Sequence, residues 1–322
     1  MGARYLAPLV LALAAACAPA KHAAITTPSC QVEFIILGIG QDGGAPQIDN
    51  HSDPAWADPS QRLHAASGAL IDHRSGARFL FEATPDIREQ LFLLEGTAGS
   101  ARDGLPMGLS GVFLTHAHIG HYAGLMFAGH ESAGANRLPV YAMPRMVDYF
   151  SNNGPWDQLV RYDNISLSPL ADATEETVAD DISVTPYQVP HRDEYSETVG
   201  YVIKGPSRSV LFLPDIDDWD RWDNEYGRRI ETMIASVDVA YLDATFFDNN
   251  ELPGRNMTAI PHPRVTDTMD RFSSAAESEQ DKIRFFHLNH TNPARFEASP
   301  ASAQIRDRGF KVAQEGEHVC LD

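Results

Sequence analysis

From residue 31 onward the chain alternates short apolar runs, rich in β-branched and aromatic side chains, with turns built on Gly, Pro, Asn and Asp. Such runs predict strands at 32–38, 66–72, 78–82, 111–115, 139–142, 182–189, 198–204, 209–213, 237–242 and 283–288, with a strand-like stretch at 309–321. Helical candidates fall at 86–94, after His121, and at 145–152, 219–235, 264–274 and 302–308. The strands are numerous and irregularly spaced, and no internal repeat or low-complexity tract interrupts them. The pattern alone gives a mixed α/β protein with many strands.

Between the first two strands, the segment 42–60 is dense in Gly, Pro, Asp and Asn, which predicts a long loop rather than a domain linker. Such loops often border active sites. Its Gly43-Gly44 pair is not followed by Gly-Lys-Ser/Thr, so it is no phosphate loop. The acidic run 172–181 reads as a solvated surface. At 322 residues the length fits either two domains or one large one, and 43% hydrophobic residues suffice for a sizeable core. Acidic residues outnumber basic ones 44 to 25, a net charge of -19, which disfavours a general grip on the nucleic-acid backbone. A small-molecule substrate, and no nucleic acid, is the expected partner.

The amino terminus differs from the rest. Arg4 precedes an apolar run from Leu6 to Ala16, and small residues surround Cys17 and Ala20. This reads as an export signal over 1–24, followed by a single domain over 25–322, in a periplasmic or outer-envelope protein. The run is shorter than the ~20 residues a membrane-spanning helix needs. Ala-Ala-Ala-Cys at 14–17 also resembles a lipoprotein box, with Leu13 one position from the usual place, so a lipid anchor through Cys17 and ordinary cleavage both fit. Cys30 and Cys320 stand beside the first and last strand-like segments. They form a disulfide if those strands are neighbours, and are two unpaired thiols otherwise.

The informative segment is Gly-Val-Phe-Leu-Thr-His-Ala-His-Ile-Gly-His-Tyr-Ala-Gly at 111–124. A strand delivers His116 and His118 to one side of an extended turn, while His121 approaches from the start of a helix. Neutral imidazoles held this way suit zinc or iron. Further along, His191 follows strand 182–189, Asp215 follows 209–213, and His287 closes 283–288.

This order of residues resembles the metallo-β-lactamase superfamily and its His-x-His-x-Asp-His signature, with Gly120 where the family carries aspartate. The segments Leu-Gly-Ile-Gly-Gln-Asp-Gly-Gly-Ala-Pro-Gln from Leu37, Ala-Thr-Pro-Asp-Ile from Ala83, Leu-Asp-Ala-Thr-Phe from Leu242 and His-Leu-Asn-His-Thr-Asn-Pro from His287 extend the likeness to the PqqB-like branch, named for a pyrroloquinoline-quinone biosynthesis protein. That namesake has a degenerate histidine motif and a cysteine-rich early loop. Here the motif is richer, and the loop carries Asp49, His51 and Asp53 instead of cysteines. The resemblance implies a four-layer αβ/βα sandwich with two mixed β-sheets. It also implies one metal on His116, His118 and His191, a second on His121 and His287, and Asp215 near both. Zinc, as one or two ions, is the expected cofactor, with Fe and Mn as alternatives.

Gly120 leaves the second site short of a negative ligand, so one strong and one conditional metal are expected, and Gly120→Asp is expected to strengthen the second. His290 is a candidate to replace the missing ligand or donate a proton. His262, in Ile-Pro-His-Pro, resembles the auxiliary histidine of some superfamily phosphodiesterases, and Asp193 and Glu194 are candidates to orient neighbouring imidazoles. Asp215, His262 and His290 form the candidate catalytic set. Because a divalent metal converts bound water to hydroxide near neutral pH, the leading expectation is an exported hydrolase of a small ester, amide, lactone, lactam or phosphodiester. An iron-dependent oxidative enzyme is the second reading, and a noncatalytic metal- or ligand-binding protein the third.

Overall fold

The structure, a computed structural model, describes residues 1–2, 30–99 and 104–322; the leader-like segment and Cys17 lie outside the described residues. The first sheet takes β1 (Val32–Gly38), β2 (Ser67–Asp72), β3 (Ala77–Phe81), β4 (Gly111–Phe113), β5 (Leu138–Ala142) and β6 (Ile165–Pro169). The second takes β7 (Glu176–Ala179), β8 (Ile182–Gln188), β9 (Val199–Lys204), β10 (Ser209–Leu213), β11 (Val239–Asp243), β12 (Ile283–Phe286) and β13 (Lys311–Val312). The chain then returns to the first sheet as β14 (His318–Cys320). The spatial orders are β14-β1-β2-β3-β4-β5-β6 and β13-β12-β11-β10-β9-β8-β7.

Both sheets are mixed. In the first, β3 to β6 run parallel while β1 and β2 pair antiparallel; in the second, β10 to β13 run parallel and β7 to β10 antiparallel. Every residue of β1, β10 and β11 is buried, as expected of strands covered on both faces. The inner faces meet through aromatic rings: Phe34 lies 5.9 Å from Phe212, and Phe81 lies 5.7 Å from Tyr201, both edge to face.

The outer layers are helical, comprising α1 (Ile87–Ala98), α2 (Ile119–Tyr122), α3 (Pro144–Asn152), α4 (Asp157–Arg161), α5 (Trp219–Tyr226), α6 (Ile230–Ser236), α7 (Val265–Arg271), α8 (Glu277–Gln280) and α9 (Pro300–Asp307). Ile87, Leu94, Met146, Phe150 and Leu159 seat α1, α3 and α4 on the first sheet. Trp219, Trp222, Ile234, Met269 and Ile305 seat α5, α6, α7 and α9 on the second. This is the four-layer αβ/βα sandwich that the resemblance implies.

Three local expectations change. The helix expected over 219–235 is two helices, because Gly227 at φ 66° takes the left-handed conformation that ends α5 while its N–H donates to Asp223 O. In the acidic run 172–181 Glu175, Glu176, Asp180 and Asp181 are exposed, but Asp172 is half-buried and pairs with Arg228, and Glu176–Ala179 pairs with β8 as the edge of the second sheet. β6, whose Ile165 and Leu167 alternate with serines, was absent from the expected strands. The terminal strands are neighbours, with Glu33 opposite Cys320, and Cys30 and Cys320 form a disulfide with a Cα–Cα separation of 5.6 Å. No helix among the described residues is long and apolar enough to cross a membrane.

Candidate metal centre

Parallel strands present their carboxyl ends at one rim of the sandwich, the usual place for a site in such sheets. The chain leaving β4 brings His116 and His118 there, and α2 then opens with His121, whose backbone N–H donates to His118 O (3.0 Å). His191 arrives after β8, Asp215 after β10 and His287 after β12. The six residues come from distant parts of the sequence and converge.

They divide into two groups. His116 Nε2 lies 2.8 Å from His118 Nδ1, which lies 3.1 Å from His191 Nε2. The opposite nitrogen of each ring meets an oxygen: Thr115 Oγ1 at 2.8 Å for His116, Glu194 Oε2 at 3.1 Å for His118 and Asp217 Oδ1 at 2.8 Å for His191. Such partners fix ring orientation and leave the other nitrogen to face the centre. In the second group, Asp215 Oδ2 sits 3.1 Å from His121 Nε2 and 3.2 Å from His287 Nε2, while Asp215 Oδ1 turns toward His191 Nε2 at 3.8 Å. Asp215 therefore stands between the groups with one oxygen toward each.

A further carboxylate completes the rim: Asp42 Oδ1 lies 3.3 Å from His121 Nε2. The donor atoms of His116, His118 and His191 lie within 4.8 Å of one another, as do those of Asp42, His121 and His287. Buried polar atoms ordinarily find hydrogen-bond partners. Here both ring nitrogens of His121, His287 Nε2 and Asp215 Oδ2 are buried without one, although they face each other at contact distance. Donor atoms converging on a common point without bonding one another fit a metal ion, and these residues could hold one.

The electrostatics agree. Burial holds the His116 imidazole well below its ordinary value, and burial likewise lowers His118 and His287, which keeps these rings in the neutral form that ligates. Burial would raise Asp215, but His287, His121 and His191 outweigh it and hold the carboxyl well below the usual carboxylate range. Burial would lower His121, but Asp215, Asp42 and Glu82 lift it well above the usual imidazole range. A cation that displaces the His121 proton takes over its role of balancing these carboxylates.

Beside the centre, His262 Nδ1 lies 2.7 Å from Asp243 Oδ2 and 3.9 Å from Asp215 Oδ1, so this histidine joins the site. Asp243 is itself fully buried and accepts from the Ile216 N–H and the Thr245 hydroxyl. His290 does not join. Its Nδ1 faces Asn50 Nδ2 at 3.1 Å and its carbonyl accepts from Arg295, so the expected replacement ligand is turned away by the loop that follows β12. Asp193 accepts from Thr198 instead of orienting His191, a task that falls to Asp217. Asp53 pairs with Arg295, and Asp49 and His51 are exposed.

The structure leaves no room for the side chain that the expectation for Gly120→Asp requires. A Cβ at Gly120 would stand 2.6 Å from Asp42 Cα and 2.9 Å from Asp42 O, closer than side chains approach backbone. Sequence reasoning missed Asp42, Glu82, Asp217 and Asp243. In the structure Asp42 and Glu82, like His287, have positive φ, at 44, 71 and 60°, a conformation that residues other than glycine tend to keep at functional sites.

A sequence profile of the beta-lactamase superfamily domain matches residues 77–301. Coenzyme PQQ synthesis protein B of Xanthomonas campestris pv. campestris is 26% identical over 320 residues, spanning 90% of this chain and 100% of that one. The protein of the same name from Methylorubrum populi is 25% identical over 309 residues, spanning 88% and 98%. The crystal structure of Zn(2+)-bound PqqB from Methylobacterium extorquens is similar with a TM-score of 0.72, over 89% of this chain and 99% of that one, at 22% identity, a likeness of fold. These findings overturn the exported hydrolase as the leading reading, because relatives that run the length of the chain are named for making a coenzyme. Water activation followed from the donor set alone, and a set of imidazoles and carboxylates serves ferrous iron as well as zinc.

Proposed function

The chain belongs to the beta-lactamase superfamily, as a PqqB-like protein of the metallo-β-lactamase fold, and from that premise we propose that it is an iron-dependent oxidative enzyme acting on a small aromatic precursor. The observation that carries this reading is the thiolate-free set of imidazoles and carboxylates around Asp215, joined to relatives named for the synthesis of a quinone coenzyme. Zinc is the competing occupant, since the same donors accept it.

His116, His118 and His191 would hold the first ion, with Asp215 between it and a second on His121 and His287. Bound iron would supply one-electron and dioxygen chemistry. The chain's own contribution is access and proton handling. His118 is the partly exposed histidine of the first group, flanked by Glu194 and by exposed Ile119 and Tyr195, so substrate reaches the centre from that side. His262, held at Nδ1 by Asp243, keeps its second ring nitrogen for a proton and stands beside Asp215.

The test compares the full chain loaded with Fe(II) or with Zn(II) in an oxygen electrode against a panel of quinoline and quinone precursors. Substrate-dependent oxygen uptake in the iron form, absent in the zinc form, supports the proposal. Turnover that proceeds without oxygen, or full iron loading with no oxygen uptake across the panel, overturns it.

A further inference from the structure

The loop after β1 and the start of α2 compete for one position. Gly40 bridges Leu288 in parallel register, Leu288 N–H donates to Ile39 O (2.7 Å) and Gln41 N–H donates to Leu288 O (2.9 Å). These bonds lay residues 39–41 alongside the segment that carries His287, and the next residue is Asp42. Its backbone then fills the space a side chain at position 120 would need, with the Asp42 Cα 2.6 Å from where a Gly120 Cβ would stand. A side chain on residue 120 and this path of the loop exclude one another.

From this juxtaposition we propose that Asp42 is a ligand of the second metal, its carboxylate entering from the β1–β2 loop to take the place of the aspartate that the superfamily signature carries at position 120. The other groups at that point support it independently of Asp42. His121 and His287 are 2% and 0% exposed, and their Nε2 atoms, like Asp215 Oδ2, lack hydrogen-bond partners. Asp42 Oδ1 lies 3.3 Å from His121 Nε2, and the Asp42, His121 and His287 donor atoms share a 4.8 Å neighbourhood. Two imidazoles with two carboxylates form a donor set for a divalent ion. The second site thus regains the negative charge that Gly120 removes, and the glycine becomes a steric condition for the exchange. This stands whether the reaction is oxidative or not.

Calorimetric titration of the metal-free full chain with Zn(II), checked by elemental analysis, reads the sites directly. The unaltered protein is expected to take up two equivalents. Asp42→Asn, close in shape, should bind the first equivalent as before and the second at least about tenfold more weakly, since affinity follows the number of charged ligands. His121→Ala marks the signature of second-site loss, and Asp42→Asn should share it. Gly120→Ala, which leaves every donor in place and pushes on the Asp42 backbone, should also weaken the second equivalent alone. Two equivalents with unchanged affinity in Asp42→Asn, or an equal loss of both, would overturn the assignment.

Discussion

Asp217 shows how a residue that touches no metal governs one that can. Its Oδ1 accepts from His191 Nδ1 at 2.8 Å while its Oδ2 takes the Arg221 guanidinium at 2.7 Å, and its own N–H donates to Pro190 O beside His191. The carboxylate is thereby anchored on both sides and fixes which His191 nitrogen faces the centre. Asp217→Asn keeps the shape but removes the charge and weakens the hold on Nδ1–H. Losses of this kind lower metal affinity by about 10- to 100-fold. The expected outcome is that weakening in the first equivalent of a Zn(II) titration with the second little changed, and unchanged affinity would sink the assignment. Asp217 and Asp42 were illegible in the sequence for a physical reason. His116, His118, His191, Asp215 and His287 each follow an apolar run, so periodicity alone places them at strand ends. Asp42, in Gln-Asp-Gly-Gly, reads as an ordinary turn residue. Its meaning comes from the bridge between Gly40 and Leu288, a contact between segments far apart in the chain.

At the scale of elements, the loops behind the parallel strands are tied to each other by buried polar groups, and Glu251 is a pH-sensitive one. Its carboxylate accepts from the Phe247 N–H and from the Thr291 hydroxyl, joining the loop after β11 to the loop after β12. Burial pushes its carboxyl from 4.5 up to about 7, against the pull of those two hydrogen bonds. The folded protein therefore holds a proton that the unfolded chain releases near its ordinary value, and stability falls as pH rises between 4.5 and about 7. The loss approaches about 3.5 kcal/mol at full ionisation, from ~1.4 kcal/mol per unit. Glu251→Gln stays neutral and loses one acceptor, so its unfolding free energy should fall less than that of the unaltered protein between pH 4.5 and 8. Denaturant titrations at both pH values read this, and parallel pH profiles would reject it. Elements were legible where burial made them apolar, as in β1 and β10. β7 escaped because an edge strand can be acidic and still pair through its backbone, and the break between α5 and α6 rests on the single φ of Gly227.

Across the whole molecule, the donor atoms are shared between the two sheets. Asp42, His116, His118 and His121 follow β1 and β4 of the first sheet, while His191, Asp215 and His287 follow β8, β10 and β12 of the second. A bound cation thus joins the two halves of the sandwich at one rim, whereas Phe34, Phe81, Tyr201 and Phe212 join them through the interior. The Cys30–Cys320 disulfide precedes β1, at the end opposite Asp42, some 23 Å away for seven residues at ~3.3 Å each. A ligand that binds only the folded state stabilises by about 4 kcal/mol at a thousand times its dissociation constant. For a chain of this size that is roughly 8 °C in Tm, at about 2 °C per kcal/mol. Removing metal with a chelator should therefore lower Tm by several degrees, and returning Zn(II) should restore it in a concentration-dependent way. Because the two ties sit at opposite ends of β1, the chelator's effect should be the same in Cys320→Ser, additive within about 0.5 kcal/mol. A Tm indifferent to chelator would mean that the convergent imidazoles do not hold a cation across the sheets. A chelator effect that disappears in Cys320→Ser would mean that the rim is not an independent tie.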